Sequence, residues 1–297
     1  RWCVRSRGLG DVYKRQAMTY EDHDPHSRRV FDANDWRSFD ITGNDVARAR
    51  RGYFANISYL DDKIGELLAI LEATRQEAIV LFVSDHGDML GERGLWFKMS
   101  MFEGSSRVPL MITAPGLAPG RVDAPVSTLD VGPTLADLAG IDLSEIAPWT
   151  DGTSILPVAS GGERGAVPIE YAAEASIAPI VALREGTFKY VRCSADPALL
   201  FNLDDDPHEL TNLATDRAHA DTLAHFSAMA DKRWDLANFD ARVRASQARR
   251  LVVYDALRQG GYYPWDFQPL QKASERYMRN HMDLNVLEAS QRHPKPE

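Results

Sequence analysis

The sequence predicts an α/β protein: a mixed or mostly parallel sheet sandwiched by helices, then a small antiparallel-sheet subdomain and a C-terminal tail. Three observations carry this reading. A long stretch has helical periodicity, a continuous β-branched run follows it, and the later chain changes to short strand-like runs joined by Gly- and Asp-rich turns.

Between Asn44 and Thr74, the apolar residues Val46, Tyr53, Ile57, Leu60, Ile64, Leu67, Leu68 and Leu71 recur mostly at three and four positions, which predicts one long amphipathic helix. Thr42 or Asn44 can cap it. AIVLFVSD, residues 78–85, is a continuous apolar run of strand length that suits a strand buried on both faces of a parallel sheet. RVPLMITAP reads as a second strand, ended by Pro115 and Gly116, and STLDVGPTLADLAGI as a helix that starts near Asp130 and stops at Gly140. After Pro157, SGGERG reads as a linker, and IVALREGTFKYVRC and LLFNL read as antiparallel strands. Helical patterns follow at Arg217–Trp234 and Ala241–Gln259, and the tail opens with GGYYPWDFQPLQ. The expected divisions are a non-native or disordered leader (1–16), an α/β domain (17–160), a small antiparallel-sheet subdomain with a helix (161–236) and a C-terminal extension (237–297).

Composition bounds the function. The 43 acidic and 34 basic residues give a net charge of −9 with no basic block, which argues against a nucleic-acid partner. Two cysteines, Cys3 and Cys193, make no disulfide framework and point to a reducing, cytoplasmic setting. The clearest apolar run, Ala78–Val83, is far short of the roughly 20 residues a membrane span needs, so no membrane partner is expected. RWCVRSRGLGDVYKRQ has no apolar signal-peptide core.

Asp85 and His86 stand where the first strand ends, the place where α/β sheets collect ligands. A carboxylate oxygen and a neutral imidazole nitrogen are two ligands of a divalent cation, too few to complete a shell. Gly87, Gly91 and Gly94 let the following loop turn back and bring Lys98 to the same place, where an ammonium would stabilise an oxyanion. The bland alternative is a capping aspartate, a core histidine and a solvated lysine.

These residues resemble a known family. SDHGDMLGERGLWFKMSMFEGSSRVPLMITAPG is similar to the C-terminal metal-and-lysine signature of the sulfatases of the alkaline phosphatase superfamily, and STLDVGPTLADLAGI, DGTSILP and DPHELTNLA resemble later family motifs in the family's order. Together they cover most of residues 45–215. LGERGLWFKMSMFEG and YYPWDFQPLQKASERYMRNHMDLN resemble the choline sulfatases within that family.

The resemblance implies an alkaline-phosphatase-like fold and hydrolysis of choline-O-sulfate to choline and sulfate by a cytoplasmic, oligomeric enzyme. It makes Asp85 and His86 ligands of a divalent metal, commonly Ca2+ with Mg2+ or Mn2+ as alternatives, and Lys98 the sulfate-contacting lysine. The family nucleophile is a formylglycine made from the cysteine of C-x-P-S-R or C-x-A-x-R, assisted by paired N-terminal aspartates. These 297 residues show neither feature; CVRSR, Cys3–Arg7, has Arg5 where Pro or Ala belongs. The expectation is therefore the C-terminal portion of such an enzyme, inactive by itself, with exposed sheet edges and apolar faces. A phosphonate monoester or phosphodiester hydrolase of the same superfamily is a second reading, and a non-catalytic oligomerisation or binding module a third.

A quaternary ammonium group is recognised by aromatic faces and carboxylates. Glu174 resembles the family's acid for the substrate cation. Trp265 beside Asp266, with Tyr262, Tyr263 and Phe267 close by, has the right chemistry, although such a segment more often buries itself in its own domain or a subunit interface. His23 and His26 have metal-like spacing beside Asp22 and Asp24 but read as a solvated turn, Asn56-Ile57-Ser58 falls inside the long helix, and Cys193 reads as a buried small hydrophobe.

Overall fold

The computed structural model describes residues 18–38 and 40–259; the expected leader and the tail candidates Trp265 and Asp266 lie outside the described residues. The chain divides into two compact units, residues 1–236 and 237–297.

The core of the first unit is a four-stranded antiparallel meander, β5 (Val167–Tyr171), β6 (Ile180–Glu185), β7 (Phe188–Cys193) and β8 (Asp196–Asn202), paired in that order. Successive strand residues point to opposite faces, and Ile180, Val181, Ala182 and Leu183 are all buried, so both faces of the sheet are covered. On one face Leu183, Tyr190 and Leu200 pack against Phe226 and Ala230 of α7 (Ala220–Arg233), with Tyr190 stacked on Phe226. On the other, Met101 packs against Ile180, Ala182, Val191 and Cys193, which places Cys193 in the apolar core.

Upstream, α1 (Pro25–Ala33) precedes α2 (Gly43–Thr74). Asp24 accepts from Ser27 N (3.0 Å) and Pro25 takes the first helical turn, a strong start signal. The solvated turn expected at His23 and His26 is thus corrected: both histidines are buried beside a helix whose Val30 packs with Met89, Leu95, Phe102 and Phe201. Arg29 fixes α1 to the sheet through a bidentate pair with Asp196. Thr42 and Asp45 form the capping box of α2.

The first strand run also departs from expectation. β1 (Val80–Val83) pairs antiparallel with β4 (Leu110–Thr113), Val80 opposite Thr113, and both strands are half-buried or exposed. Between them lie the two-residue strands β2 (Met89–Leu90) and β3 (Trp96–Phe97), a 3-10 turn at Glu92–Gly94 and the one-turn α3 (Glu103–Ser106), with no crossover helix of the kind that joins parallel neighbours. Phe54, Ile57, Leu60, Leu67 and Ile70 of α2 are exposed among the described residues, so periodicity located the apolar face without supplying what covers it.

A 3-10 turn at Thr128–Asp130 leads into α4 (Val131–Leu138), followed by the one-turn helices α5 (Leu143–Ile146) and α6 (Leu156–Ala159). Asp130, buried, accepts from Ser127 N (2.8 Å) and Thr153 N (2.9 Å) and pairs with Arg164 (2.6 Å), closing the α4 end onto the segment before β5. In the second unit α8 (Leu236–Gln259) begins five residues before the expected Ala241. Among the described residues no helix is long and apolar enough to cross a membrane.

Asp130→Ala removes three acceptor contacts and leaves the Arg164 guanidinium with Thr153 Oγ1 but no carboxylate. Urea unfolding is expected to show a loss of about 3 kcal/mol; a loss below about 1 kcal/mol, the value of an exposed pair, would contradict a structural role for this carboxylate.

Candidate functional site

β1 ends at Val83, and the chain turns through Ser84-Asp85-His86-Gly87. Ser84 Oγ donates to the His86 carbonyl (2.7 Å), and His86 N–H donates to Asp85 Oδ1 (2.9 Å), which holds the Asp85 carboxyl below its ordinary range. Asp85 is nevertheless open to solvent, with 83% of its side chain exposed.

His86 Nδ1 lies 2.9 Å from the Gly87 carbonyl. A carbonyl only accepts, so Nδ1 carries a proton; the Lys98 ammonium only donates, so Nε2 meets it with a lone pair. That lone pair faces Lys98 Nζ at 2.9 Å and Asp85 Oδ2 at 3.4 Å. One cationic group therefore already sits against the imidazole lone pair, with the carboxylate beside it. A carboxylate oxygen and an imidazole nitrogen 3.4 Å apart are donor types that could hold part of a divalent cation's shell, and the Lys98 ammonium stands where positive charge is favoured. Among the described residues no group of three or more His, Cys, Asp or Glu could hold a metal, and two ligands do not complete a divalent shell.

Lys98 returns to His86 because the intervening residues form a hairpin: Gly91, at φ +88°, makes the turn between β2 and β3, and Met89 pairs with Phe97. The lysine end is then fixed from α3. Ser105 Oγ reaches the Lys98 carbonyl (2.5 Å) and the Ser100 carbonyl (2.9 Å), while Ser105 O accepts from Gly87 N (2.8 Å). A Cβ on Gly87 would lie 2.2 Å from Gly104 O, so only glycine permits this approach. One residue, Ser105, thus ties the Asp85-His86-Gly87 turn to Lys98.

Sequence reasoning singled out Asp85, His86 and Lys98, and these three meet. Glu174 shares no hydrogen bond with them; it is exposed on the β5–β6 connection, where Tyr171 Oη donates to its carbonyl (2.9 Å) and carboxylate (3.1 Å). Burial, with Glu174 beside it, pushes the Tyr171 phenol well above its usual range. Sequence reasoning missed Ser105, Gly104 and His26. His26 Nε2–H donates to the carbonyl of Met99, next to Lys98 (2.8 Å), a contact between positions 73 residues apart that no local pattern announces.

Comparison with known proteins follows the same segments. Residues 16–141 match the family model described as Sulfatase, residues 91–234 that described as N-sulphoglucosamine sulphohydrolase, C-terminal, and residues 241–293 that described as Choline sulfatase enzyme C terminal. A choline-sulfatase of Rhizobium meliloti is 60% identical over 287 residues, covering 95% of this chain and 56% of that protein. The chain therefore spans little more than half the length of that relative. The crystal structure of the phosphonate monoester hydrolase of Agrobacterium radiobacter shares 27% identity (TM-score 0.57; 70% of this chain, 43% of that one), and that of Silicibacter pomeroyi 25% (TM-score 0.64; 74% and 49%). The fold is thus of the alkaline-phosphatase-like, mixed α/β type.

Burial pushes the pKa of His23 and His26 down from the ordinary histidine range. Unfolded, both titrate near about 6.5. Above that pH neither state takes up the protons; below it the unfolded chain does and the folded chain does not, so stability falls until the depressed folded pKa is reached. The Tm is expected to drop between about pH 7 and pH 5, and to drop less in His26→Gln, which keeps an N–H for the Met99 carbonyl. The same pH slope in wild type and variant would contradict a neutral, buried His26.

Proposed function

From the match of residues 16–141 to the Sulfatase model and the 60% identity to a choline-sulfatase, we propose that the chain belongs to the sulfatase family and is the metal-and-lysine part of a sulfuric ester hydrolase that converts choline-O-sulfate to choline and sulfate. The observation that carries the proposal is the gathering of Lys98 Nζ (2.9 Å) and Asp85 Oδ2 (3.4 Å) around His86 Nε2.

In this reading Asp85 and His86 hold a divalent cation, Ca2+ as the family resemblance implies, with Mg2+ or Mn2+ as alternatives. Bound there, the ion supplies Lewis-acid stabilisation of negative charge on the ester. Lys98, freed from the imidazole, places its ammonium on a sulfate oxygen, where charge grows as the S–O bond to choline breaks. Its three N–H donors can follow that charge without a rearrangement of the loop, because Ser105 and the hairpin fix the backbone on either side. The attacking group is a formylglycine hydrate carried by a segment other than these 297 residues, whose two cysteines stand in no matching motif.

The choline end needs an aromatic face and a carboxylate, and Tyr171 hydrogen-bonded to Glu174 brings both types together. Trp265 and Asp266 remain part of the proposal by chemistry alone. A cytoplasmic, oligomeric enzyme completes the reading, in keeping with the two cysteines and the family resemblance. The likeness to two phosphonate monoester hydrolases supports a second reading, in which the same Asp-His-Lys set acts on a phosphonate ester.

The test is turnover of choline-O-sulfate against a phenyl phosphonate. The 297-residue chain alone is expected to give no sulfate, and the chain joined to a formylglycine-bearing segment is expected to prefer choline-O-sulfate. Lys98→Ala should lower kcat/KM by about 10²- to 10³-fold. Undiminished activity of Lys98→Ala would refute the assigned role, and preference for the phosphonate would favour the second reading.

A further inference from the structure

The two halves of the site lean on α3, a helix of four residues that cannot hold its own shape by local hydrogen bonding. Its N-cap position is Phe102, whose side chain has no group to accept from the first turn. The missing acceptor comes from far away in sequence: Glu209 Oε2 accepts from Glu103 N at 2.7 Å, across 106 residues.

Glu209 is held for this task. It is 2% exposed and its backbone is left-handed, at φ +56°, where glycine or asparagine would cost less. Arg93, whose guanidinium lies over the Phe102 ring at 4.1 Å, donates to the Glu209 carbonyl. The other carboxylate oxygen is 2.7 Å from Lys189 Nζ, which is fully buried in β7 and also contacts Glu103 Oε1 (2.9 Å) and Ser106 Oγ (3.3 Å). Both ends of α3 are thus fixed to one buried ammonium. A strained backbone that retains glutamate, a buried lysine whose partners lie in or against α3, and a cap that Phe102 cannot provide converge on one small helix.

We infer that Glu209 is a positioning residue: it caps α3 and, with Lys189, sets where Ser105 stands, and through Ser105 the mutual placement of the Asp85-His86-Gly87 turn and Lys98. The inference rests on the reading of Asp85, His86 and Lys98 as the working site. The route is short. Glu209 fixes Glu103, α3 carries Ser105, and Ser105 bonds Gly87 N on one side and the Lys98 carbonyl on the other. Glu209 touches none of the proposed reacting groups among its recorded contacts, so it acts through the helix.

The test is amide hydrogen exchange in the full chain, read at Gly87 N–H and at the α3 amides, with Val181 and Val191 of the sheet as internal references. Glu209→Ala is expected to speed exchange at Gly87 by about tenfold more than at the sheet amides, which themselves rise because Lys189 loses one of its two carboxylates. Glu209→Gln keeps an oxygen for Glu103 N–H and is expected to restore wild-type exchange at Gly87. If Glu209→Ala does not fold, Glu209→Asp carries the same test: it keeps the charge beside Lys189 but is one methylene too short for the cap. Unchanged exchange at Gly87, a uniform rise that includes Val181 and Val191, or failure of the glutamine to restore it would each overturn the inference. None of these readouts uses a substrate, so a failed choline-O-sulfate assay would refute the assigned reaction and leave this result standing.

Discussion

A lysine ammonium with no exposure to water must be paired or neutralised, and Lys189 is paired with both Glu103 and Glu209. Most of the site architecture follows from that constraint. The two carboxylates belong to segments remote in sequence, one beginning α3 and the other in the loop after β8, so the ion cluster clamps the site-bearing loop to the antiparallel sheet. Apolar burial acts in the same direction: Met101 packs on β6 and β7, and Phe102 packs with Phe201 of β8. Dispersion and charge together give a loop of little regular structure the rigidity that a catalytic lysine needs.

The site itself depends on a division of labour between exposed and buried groups. Asp85 and Lys98 face solvent, where a substrate can reach them, while His26, Ser105 and Glu209 are buried. The imidazole of His86 lies at the boundary. Its Nδ1–H is committed to a backbone carbonyl, so its Nε2 lone pair has one direction and one purpose, to meet positive charge.

Much of this was legible in the sequence, in proportion to how local the signal was. The cap of α2, offered at Thr42 or Asn44 and found at Thr42, the strand ending before Asp85, the stop at Gly140 and the meander from Ile180 to Asn202 follow from periodicity and turn residues within a few positions. The partner of β1 was not legible, because a continuous apolar run specifies burial without specifying strand direction. Nor was α1: the charges of EDHDPHSRR suggested solvent, but Asp24 and Pro25 start a helix whose apolar face packs against the site-bearing hairpin. Glu209 stood in a quoted motif, DPHELTNLA, yet its partners are 20 residues away at Lys189 and 106 away at Glu103, beyond any spacing rule.

The central claim is that the His86 lone pair, the Asp85 carboxylate and the Lys98 ammonium form one sulfate-ester site. The most direct measurement is a crystal structure of these residues joined to a formylglycine-bearing segment, grown with Ca2+ and soaked with choline-O-sulfate. The account predicts a cation shared by Asp85 Oδ2 and His86 Nε2, with Lys98 Nζ moved off the imidazole to within about 3 Å of a sulfate oxygen. Sulfate bound elsewhere, with Lys98 still seated on His86, would contradict it.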